Sequence, residues 1–153
     1  MKRRSFLQTT AGSLALTLPG LGGLLYTPVA TAGPTETMLA AESLDAAMRA
    51  VTGDVAPRPD PRVEIDAPAI AENGRSVPVK IRCTLDGVRA LYLFSEKNQN
   101  PGVARFALSA ELAPVVKTRI KMGGTGRVIA LAELDSGFLM AERMVTVTSG
   151  GCS

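Results

Sequence analysis

The chain lacks two residue types that protein chemistry uses heavily, histidine and tryptophan, and it has only two cysteines in 153 residues. Without histidine, the commonest general base, nucleophile activator and metal ligand is missing. The cysteines, Cys83 and Cys152, lie too far apart in sequence for a zinc site built on paired cysteines. The glycine-rich stretch 123–126 lacks the lysine of a phosphate-binding loop and is typical of a turn. The sequence therefore predicts no catalytic residue, no metal site and no cofactor, and it argues against an enzyme that acts alone.

The first 32 residues have the pattern of a bacterial export signal. Lys2, Arg3 and Arg4 precede Ser-Phe-Leu, a short apolar stretch follows, and small residues end it at Ala32. The adjacent arginines resemble the twin-arginine type. Proline and glycine interrupt the apolar stretch, which is too short for a membrane anchor. We therefore expect residues 1–32 to be removed and the mature chain to reside in the periplasm, with no attachment to a membrane.

Removal of this segment changes the charge of the protein. The whole chain has 17 basic and 14 acidic residues, and three of the basic ones, with no acidic residue, lie in the segment 1–32. Basic and acidic residues are thus equal in number in the mature chain, which is about one domain long. This balance excludes the basic composition that is typical of nucleic-acid binding.

An amphipathic helix is predicted over residues 36–52, where apolar side chains recur at helical spacing (Ala40, Leu44, Ala47, Met48 and Val51). Thr35 or Thr37 is a candidate for its start and Gly53 for its end. Three prolines follow at positions 57, 59 and 61, so that residues 56–62 are predicted to be extended. Residues 33–61 are therefore expected to form an N-terminal helix and a proline-rich linker.

From residue 62 onward the hydrophobic period is two, as in β-strands. Val77, Val79, Ile81 and Cys83 alternate with polar residues, while stretches 88–95 and 127–134 are apolar on both faces, as central strands are. Turn residues separate about seven such stretches. The sequence therefore predicts an all-β protein, with an immunoglobulin-like antiparallel β-sandwich over residues 62–148.

The two cysteines are not equivalent. Cys83 shares the apolar face of its predicted strand, so we expect a buried thiol that acts as a small hydrophobic side chain. Cys152 follows Ser149, Gly150 and Gly151 at the end of the chain. Because such a tail packs no side chain, residues 149–153 are predicted to be a flexible arm that carries an exposed, reactive thiol. A disulfide between the two cysteines is disfavoured, since the tail would have to enter the sandwich.

Several stretches resemble the SoxY family, the sulfur-carrier subunits of the periplasmic thiosulfate-oxidising system. They are Ile70-Ala71-Glu72-Asn73-Gly74 within residues 67–83, Ser95-Glu96-Lys97-Asn98 within residues 91–112, and residues 118–122 and 130–142, together with the terminal Gly-Gly-Cys. The resemblance implies an immunoglobulin-like sandwich that forms a heterodimer with a second small β-protein, SoxZ. It also implies that Cys152 is the covalent attachment point for the sulfur substrate, with Gly150 and Gly151 as the arm, and that separate sulfur-oxidising enzymes act on it.

The chain departs from the family after this cysteine, where Ser153 stands in place of two glycines. The α-carboxylate therefore lies nearer to the sulfur, and its charge disfavours the thiolate. Two alternatives to a carrier remain open. One is a SoxY-like accessory or binding module of another periplasmic oxidoreductase, which would not need Cys152. The other, a thiol enzyme acting alone, lacks a base to activate the cysteine.

The export signal generates the first prediction. The double variant Arg3→Lys, Arg4→Lys should leave uncleaved precursor in the cytoplasm, because the twin-arginine route requires the arginine pair. Cell fractionation and the N-terminal sequence of the exported protein, expected to begin at Gly33, provide the measurement. Unchanged export of the variant would contradict the assignment.

Overall fold

Two helices and nine strands make up residues 33–149, the part of the chain that the computed structural model describes. The predicted signal, residues 1–32, and the end of the chain, residues 150–153, lie outside the described residues. The helices are α1 (Pro34–Ala40) and α2 (Leu44–Thr52). The strands are β1 (Arg58–Pro59), β2 (Val63–Asp66), β3 (Ile70–Ala71), β4 (Val77–Cys83), β5 (Ala90–Ser95), β6 (Gly102–Ala107), β7 (Val115–Ile120), β8 (Gly126–Leu134) and β9 (Gly137–Val147).

The segment predicted as one helix over residues 36–52 forms two helices. Ala41 is extended after α1, and Ser43 begins α2 by accepting a hydrogen bond at its Oγ from the Ala46 N–H (3.2 Å). A serine side chain is short enough to satisfy a free N–H of the first turn, so it favours a new start at this point. Gly53 ends α2 with a φ of 58°, in agreement with the prediction. Neither helix is long and apolar enough to cross a membrane.

The strands form two sheets. One has the order β1-β9-β8-β5-β6, with β3 also paired to β9, and the other has the order β2-β4-β7. The β-sandwich prediction is confirmed, and seven of the strands have four or more residues. The sandwich is not purely antiparallel, however, because β1 and β3 each pair in parallel with β9. Pro59 lies in β1 at the outer edge of its sheet, where a missing N–H breaks no ladder.

The space between the two sheets holds the larger core. β4 alternates strictly, with Val77, Val79, Ile81 and Cys83 buried. They pack in one cluster with the inward side chains of the six-stranded sheet. All six residues of β5 are buried, as predicted for a central strand, because its two faces pack in two different cores.

The second core lies between the six-stranded sheet and the two helices. Met38 of α1 and Ala47 of α2 are fully buried, and Phe94 and Leu131 of the sheet pack in the same cluster. The helix α1 approaches so closely that a Cβ at Gly102 would collide with the Met38 carbonyl oxygen. The outer face of the six-stranded sheet is therefore covered by helix where these residues lie.

The burial of Cys83, which is 2 % exposed, generates the second prediction. Cys83→Ala should lower the free energy of unfolding by about 1 kcal/mol, since it removes one buried sulfur atom and leaves a small void. Urea denaturation provides the measurement, and Cys152→Ala is the matched control, expected to unfold at the wild-type urea concentration. In the native protein Cys83 should react slowly with a maleimide, and rapid labelling would contradict its place in the core.

Candidate functional site at the end of the last strand

The residues predicted to carry the function, Gly150, Gly151 and Cys152, lie outside the described residues, so their roles stay predictions. The structure describes the chain up to Ser149. The candidate site is therefore the surface from which these residues extend, and its geometry decides where the Cys152 thiol can go.

The end of β9 is held on one side by residues 69–74, which we call the clamp segment. Within it, β3 pairs in parallel with β9, with Ile70 opposite Thr146. The Thr146 N–H donates to the Ala69 carbonyl (2.9 Å), and the Thr148 N–H donates to the Ala71 carbonyl (3.0 Å). The hydrogen-bonded backbone thus continues beyond the last residue of β9.

Gly74 completes the clamp segment. Its N–H donates to the Ser149 carbonyl (2.9 Å), and its own carbonyl accepts from the N–H of Met122, which follows β7 (2.7 Å). Asn73 shapes the turn, since its Oδ1 accepts from the Arg75 N–H (2.9 Å), the usual bond of an asparagine turn. Gly74, which is buried, therefore links the residues after β9 of the six-stranded sheet to the residues after β7 of the three-stranded sheet.

Thr125 holds the other side of β9. Its Oγ1 accepts from the Val147 N–H (2.9 Å) and lies 3.4 Å from the Val147 carbonyl, to which it donates. The Thr148 hydroxyl in turn donates to the Glu72 carbonyl of the clamp segment (3.3 Å). The backbone leading to the arm is thus restrained from two directions.

The turn that contains Thr125 is itself supported by Asn98. The Asn98 Oδ1 accepts from the Gly123 N–H (2.8 Å), and its Nδ2 donates to the Lys121 carbonyl (3.0 Å). The buried Ser95 donates to the same Oδ1 (3.1 Å). Of the stretches that resembled the family, residues 70–74 therefore hold the end of β9 directly, and residues 95–98 support it through the turn that contains Thr125.

An ion-pair network lies on the outer face of the six-stranded sheet. The Arg127 N–H and Nε both donate to Glu96 Oε2 (3.0 and 3.1 Å), and its Nη1 lies 3.1 Å from Glu142 Oε2. The hydrogen bonds from Arg127 hold the pKa of the Glu96 carboxyl below its usual range. The Arg127–Glu96 pair therefore stays charged at neutral pH, and the network joins the start of β8 to β9.

Two large apolar side chains are exposed on the same outer face. Ile70 is 63 % exposed and Met144 is 57 % exposed. Ile70 lies opposite Thr146 and Met144 lies opposite Arg127, and side chains of paired residues share a face. Ile70, Met144 and the exposed Thr146 form a continuous patch, which we call the root surface.

Three cations lie near the clamp segment. Arg75 follows Gly74, Lys121 precedes Met122, and the Arg119 Nε donates to Ser76 Oγ (2.7 Å). Among residues 33–149, no carboxylate lies within 4.0 Å of the charged groups of these three side chains. The exposed carboxylate of Glu72 lies within the clamp segment itself, so charges of both signs surround the end of β9.

The arm is short. From Ser149 to Cys152 there are three residue steps, which span at most about 10–11 Å. Cys83 lies at the far end of β4, and the strand Val77–Cys83 alone is roughly 20 Å long. With the Ser149 carbonyl bonded at Gly74, the arm does not bring Cys152 to within the ~7 Å between Cα atoms that a disulfide with Cys83 requires.

The described residues offer no second candidate of comparable quality. A cavity of about 390 Å³ opens on the three-stranded sheet, and its polar lining includes Asp66, Lys80 and Lys117. It contains no activated nucleophile. Within the described part of the chain, no three histidine, cysteine or carboxylate side chains come together as metal ligands.

The hydroxyl of Thr125 generates the third prediction. Thr125→Val should speed hydrogen exchange of the Val147 amide about fivefold, since it removes a hydrogen bond worth roughly 1 kcal/mol. Thr125→Ser keeps the hydroxyl and is the matched control, expected to exchange at the wild-type rate. Equal exchange rates in the valine variant and the wild type, measured by NMR, would contradict this restraint on β9.

Comparison with known proteins places this geometry in a family. The family model described as "Sulfur oxidation protein SoxY" matches residues 48–152. No curated protein matches the chain by sequence. A superoxide reductase (neelaredoxin) from Ignicoccus hospitalis is 16 % identical, with a TM-score of 0.51 over 69 % of this chain and 92 % of its own, and shows the shared fold alone.

A sulfur carrier protein of known structure is more similar. SoxY from Chlorobium limicola f. thiosulfatophilum is 31 % identical, with a TM-score of 0.63 over 69 % of this chain and 96 % of its own. The family match ends at Cys152, so it includes the clamp segment, β9 and Cys152 itself. The chain belongs to the SoxY family of sulfur oxidation proteins.

Proposed function

We propose that this protein is a covalent sulfur-substrate carrier in periplasmic oxidation of thiosulfate or other reduced sulfur compounds, with Cys152 as the attachment point. The observation that carries the proposal is the restraint of β9 up to Ser149, three residues before Cys152. Membership of the SoxY family supports a role as a sulfur carrier. A rigid base and a short arm together present the thiol at a defined place.

The chemistry requires a partner enzyme. Attack on sulfur needs the thiolate, and an exposed cysteine with a pKa of ~8.5 is only a few per cent thiolate at pH 7. Coupling the thiol to thiosulfate forms one S–S bond and releases a proton and two electrons, so the enzyme must supply an electron acceptor. This chain has no histidine to take up the proton. In this proposal it carries the substrate, and the enzymes that act on Cys152 perform the catalysis.

Gly150 and Gly151 have a steric role. Because they have no side chains, the backbone behind Cys152 can pass through a narrow active-site entrance of a partner enzyme. Because the arm spans about 10–11 Å beyond Ser149, the reacting atoms of each enzyme must come almost to the surface of this protein. The carrier therefore enters an active site by its last residues alone.

The proposal includes a partner and a compartment. We propose a heterodimer with a SoxZ-like β-protein, and export of that dimer by the twin-arginine route, which accepts folded proteins. Family membership supports a partner of this kind. With balanced charge on the mature chain, the interface should be largely apolar. The alternative, an accessory module of another periplasmic oxidoreductase, keeps the fold but needs no reactive Cys152.

The fourth prediction tests the carrier role. The mature protein, copurified with its SoxZ-like partner, is incubated with thiosulfate and the oxidising enzymes, and its intact mass is measured. Wild type should gain a sulfur-containing adduct, while Cys152→Ser should gain none and still bind the partner. Gly150→Val and Gly151→Val should load about tenfold more slowly or worse, because positioning at a reaction centre is sensitive to small displacements.

Gly124→Val is the matched control, since a Cβ at Gly124 meets no other atom within 4 Å, and it should load at the wild-type rate. An adduct that persists in Cys152→Ser, or that never forms on wild type, contradicts the carrier function and favours the accessory module. A chain that elutes as a monomer after coexpression with the partner contradicts the heterodimer.

A further inference from the structure

We propose that the root surface (Ile70, Met144 and Thr146) is the docking site for the enzyme that acts on Cys152. The occupant is a protein whose active-site entrance is bordered by an apolar surface and by carboxylates. This inference rests on the proposed function and adds to it the surface by which the carrier is recognised.

The first argument is the length of chain beyond Ser149. Cys152 lies at most about 10–11 Å from Ser149, so the rim of an enzyme whose active site is recessed must touch the end of the sandwich. An interface of ordinary size buries about 800 Å² on each partner, which corresponds to a radius of roughly 16 Å. Ile70 pairs with Thr146, three residues before Ser149. The enzyme therefore covers the root surface whenever the arm is fully inserted.

The second argument is that the fold does not explain the exposed side chains. In β3, Ala71 is 6 % exposed and belongs to the core between the sheets, whereas Ile70 is 63 % exposed. The pairing of β3 with β9 uses backbone atoms, so it does not require an isoleucine. Met144 likewise lies beyond the part of the outer face that the helices cover. Neighbouring exposed apolar side chains of this size are typical of a surface that binds a protein.

The third argument is charge. Arg75 and Lys121 lie beside the clamp segment, and within residues 33–149 no carboxylate is close enough to pair with them, although Glu72 of the clamp segment is also exposed. An apolar centre with a charged rim is the usual arrangement of an interface between proteins. The enzyme should therefore present carboxylates opposite these cations, which would accelerate encounter at low ionic strength.

The experiment measures the steady-state rate of adduct formation on Cys152. The substrate is the mature carrier with its SoxZ-like partner, at varied concentration, with thiosulfate and the enzyme that couples it to the thiol. The double variant Ile70→Ser, Met144→Ser should raise KM for the carrier about tenfold or more, as loss of buried interface anchors does. It should leave kcat unchanged, since the arm and Cys152 are intact.

Val55→Ser is the matched control. Val55 is 52 % exposed, and it lies beside Gly137 at the opposite end of β9, roughly 30 Å from the root surface. Its KM should equal that of wild type. Alkylation of Cys152 by iodoacetamide, without enzyme, should proceed at the same rate in wild type, the serine double variant and Val55→Ser. A change in KM can then be attributed to docking and not to an altered arm.

The charge argument has its own variant. Arg75→Gln, Lys121→Gln should weaken the dependence of kcat/KM on salt, whereas Lys80→Gln, Lys117→Gln on the outer face of the three-stranded sheet should not.

Five results overturn the docking proposal while the carrier function stands. In the first two, wild type loads but the serine double variant has an unchanged KM, or Val55→Ser is impaired equally. In the third, the serine double variant no longer copurifies with the SoxZ-like partner, which assigns the root surface to that partner. In the last two, the root surface mediates association of two copies of this chain or binding to lipid vesicles. Absence of any adduct on wild type overturns both proposals.

Discussion

The hydrogen bonds at the end of β9 are the constraint on which the functional end of this protein depends. Thr146 and Thr148 donate to the clamp segment, Gly74 donates to Ser149, and Thr125 bonds the intervening residue from the other side. Without them the last residues before the arm would fray, as chain ends do, and the position of the thiol would spread over a larger volume. With them, the possible positions of the Cys152 thiol are limited to those within three residue steps of Ser149. A short arm is useful only when its base is fixed.

The layered architecture explains why one part of β9 is available for recognition. The helices α1 and α2 cover the outer face of the six-stranded sheet over Phe138 and Met140. They do not cover Met144 and Thr146, which lie nearer to the arm and are exposed. The same strand is therefore covered on both faces near its start, where Phe138 and Met140 are half-buried, and open on one face at its end. The stable core and the proposed docking site lie along different parts of a single strand.

The absence of histidine is compatible with the proposed function, in which this chain carries the substrate and partner enzymes supply the catalytic residues. A carrier must let several enzymes act on one sulfur, and a resident base would favour one protonation state and one reaction. In the proposed function, the hydrogen-bonded end of β9 and the glycines that follow it determine where the thiol can go, and partner enzymes perform the chemistry.

The sequence by itself determined the fold class, which follows from local patterns, and the arm stays a prediction made from such a pattern. Alternation in β4, apolar runs in β5 and β8, and the turn residues between them predicted the sandwich, and the alternation placed Cys83 inside it. The break between α1 and α2 was missed, since the cap formed by Ser43 competes with a helical pattern that continues through it. The parallel pairing of β1 and β3 with β9 was also missed, because two-residue strands have no period to detect.

Only the tertiary structure decided which contacts are made by the stretches that resemble the SoxY family. Residues 70–74 and 95–98 resembled the family in sequence, but their hydrogen bonds join residues far apart in the chain, from Asn98 and Lys121 (23 apart) to Ala71 and Thr148 (77 apart). Such contacts depend on how the sheets pack and leave no local pattern. The root surface is of the same kind, since Ile70 and Met144 become neighbours only when β3 pairs with β9.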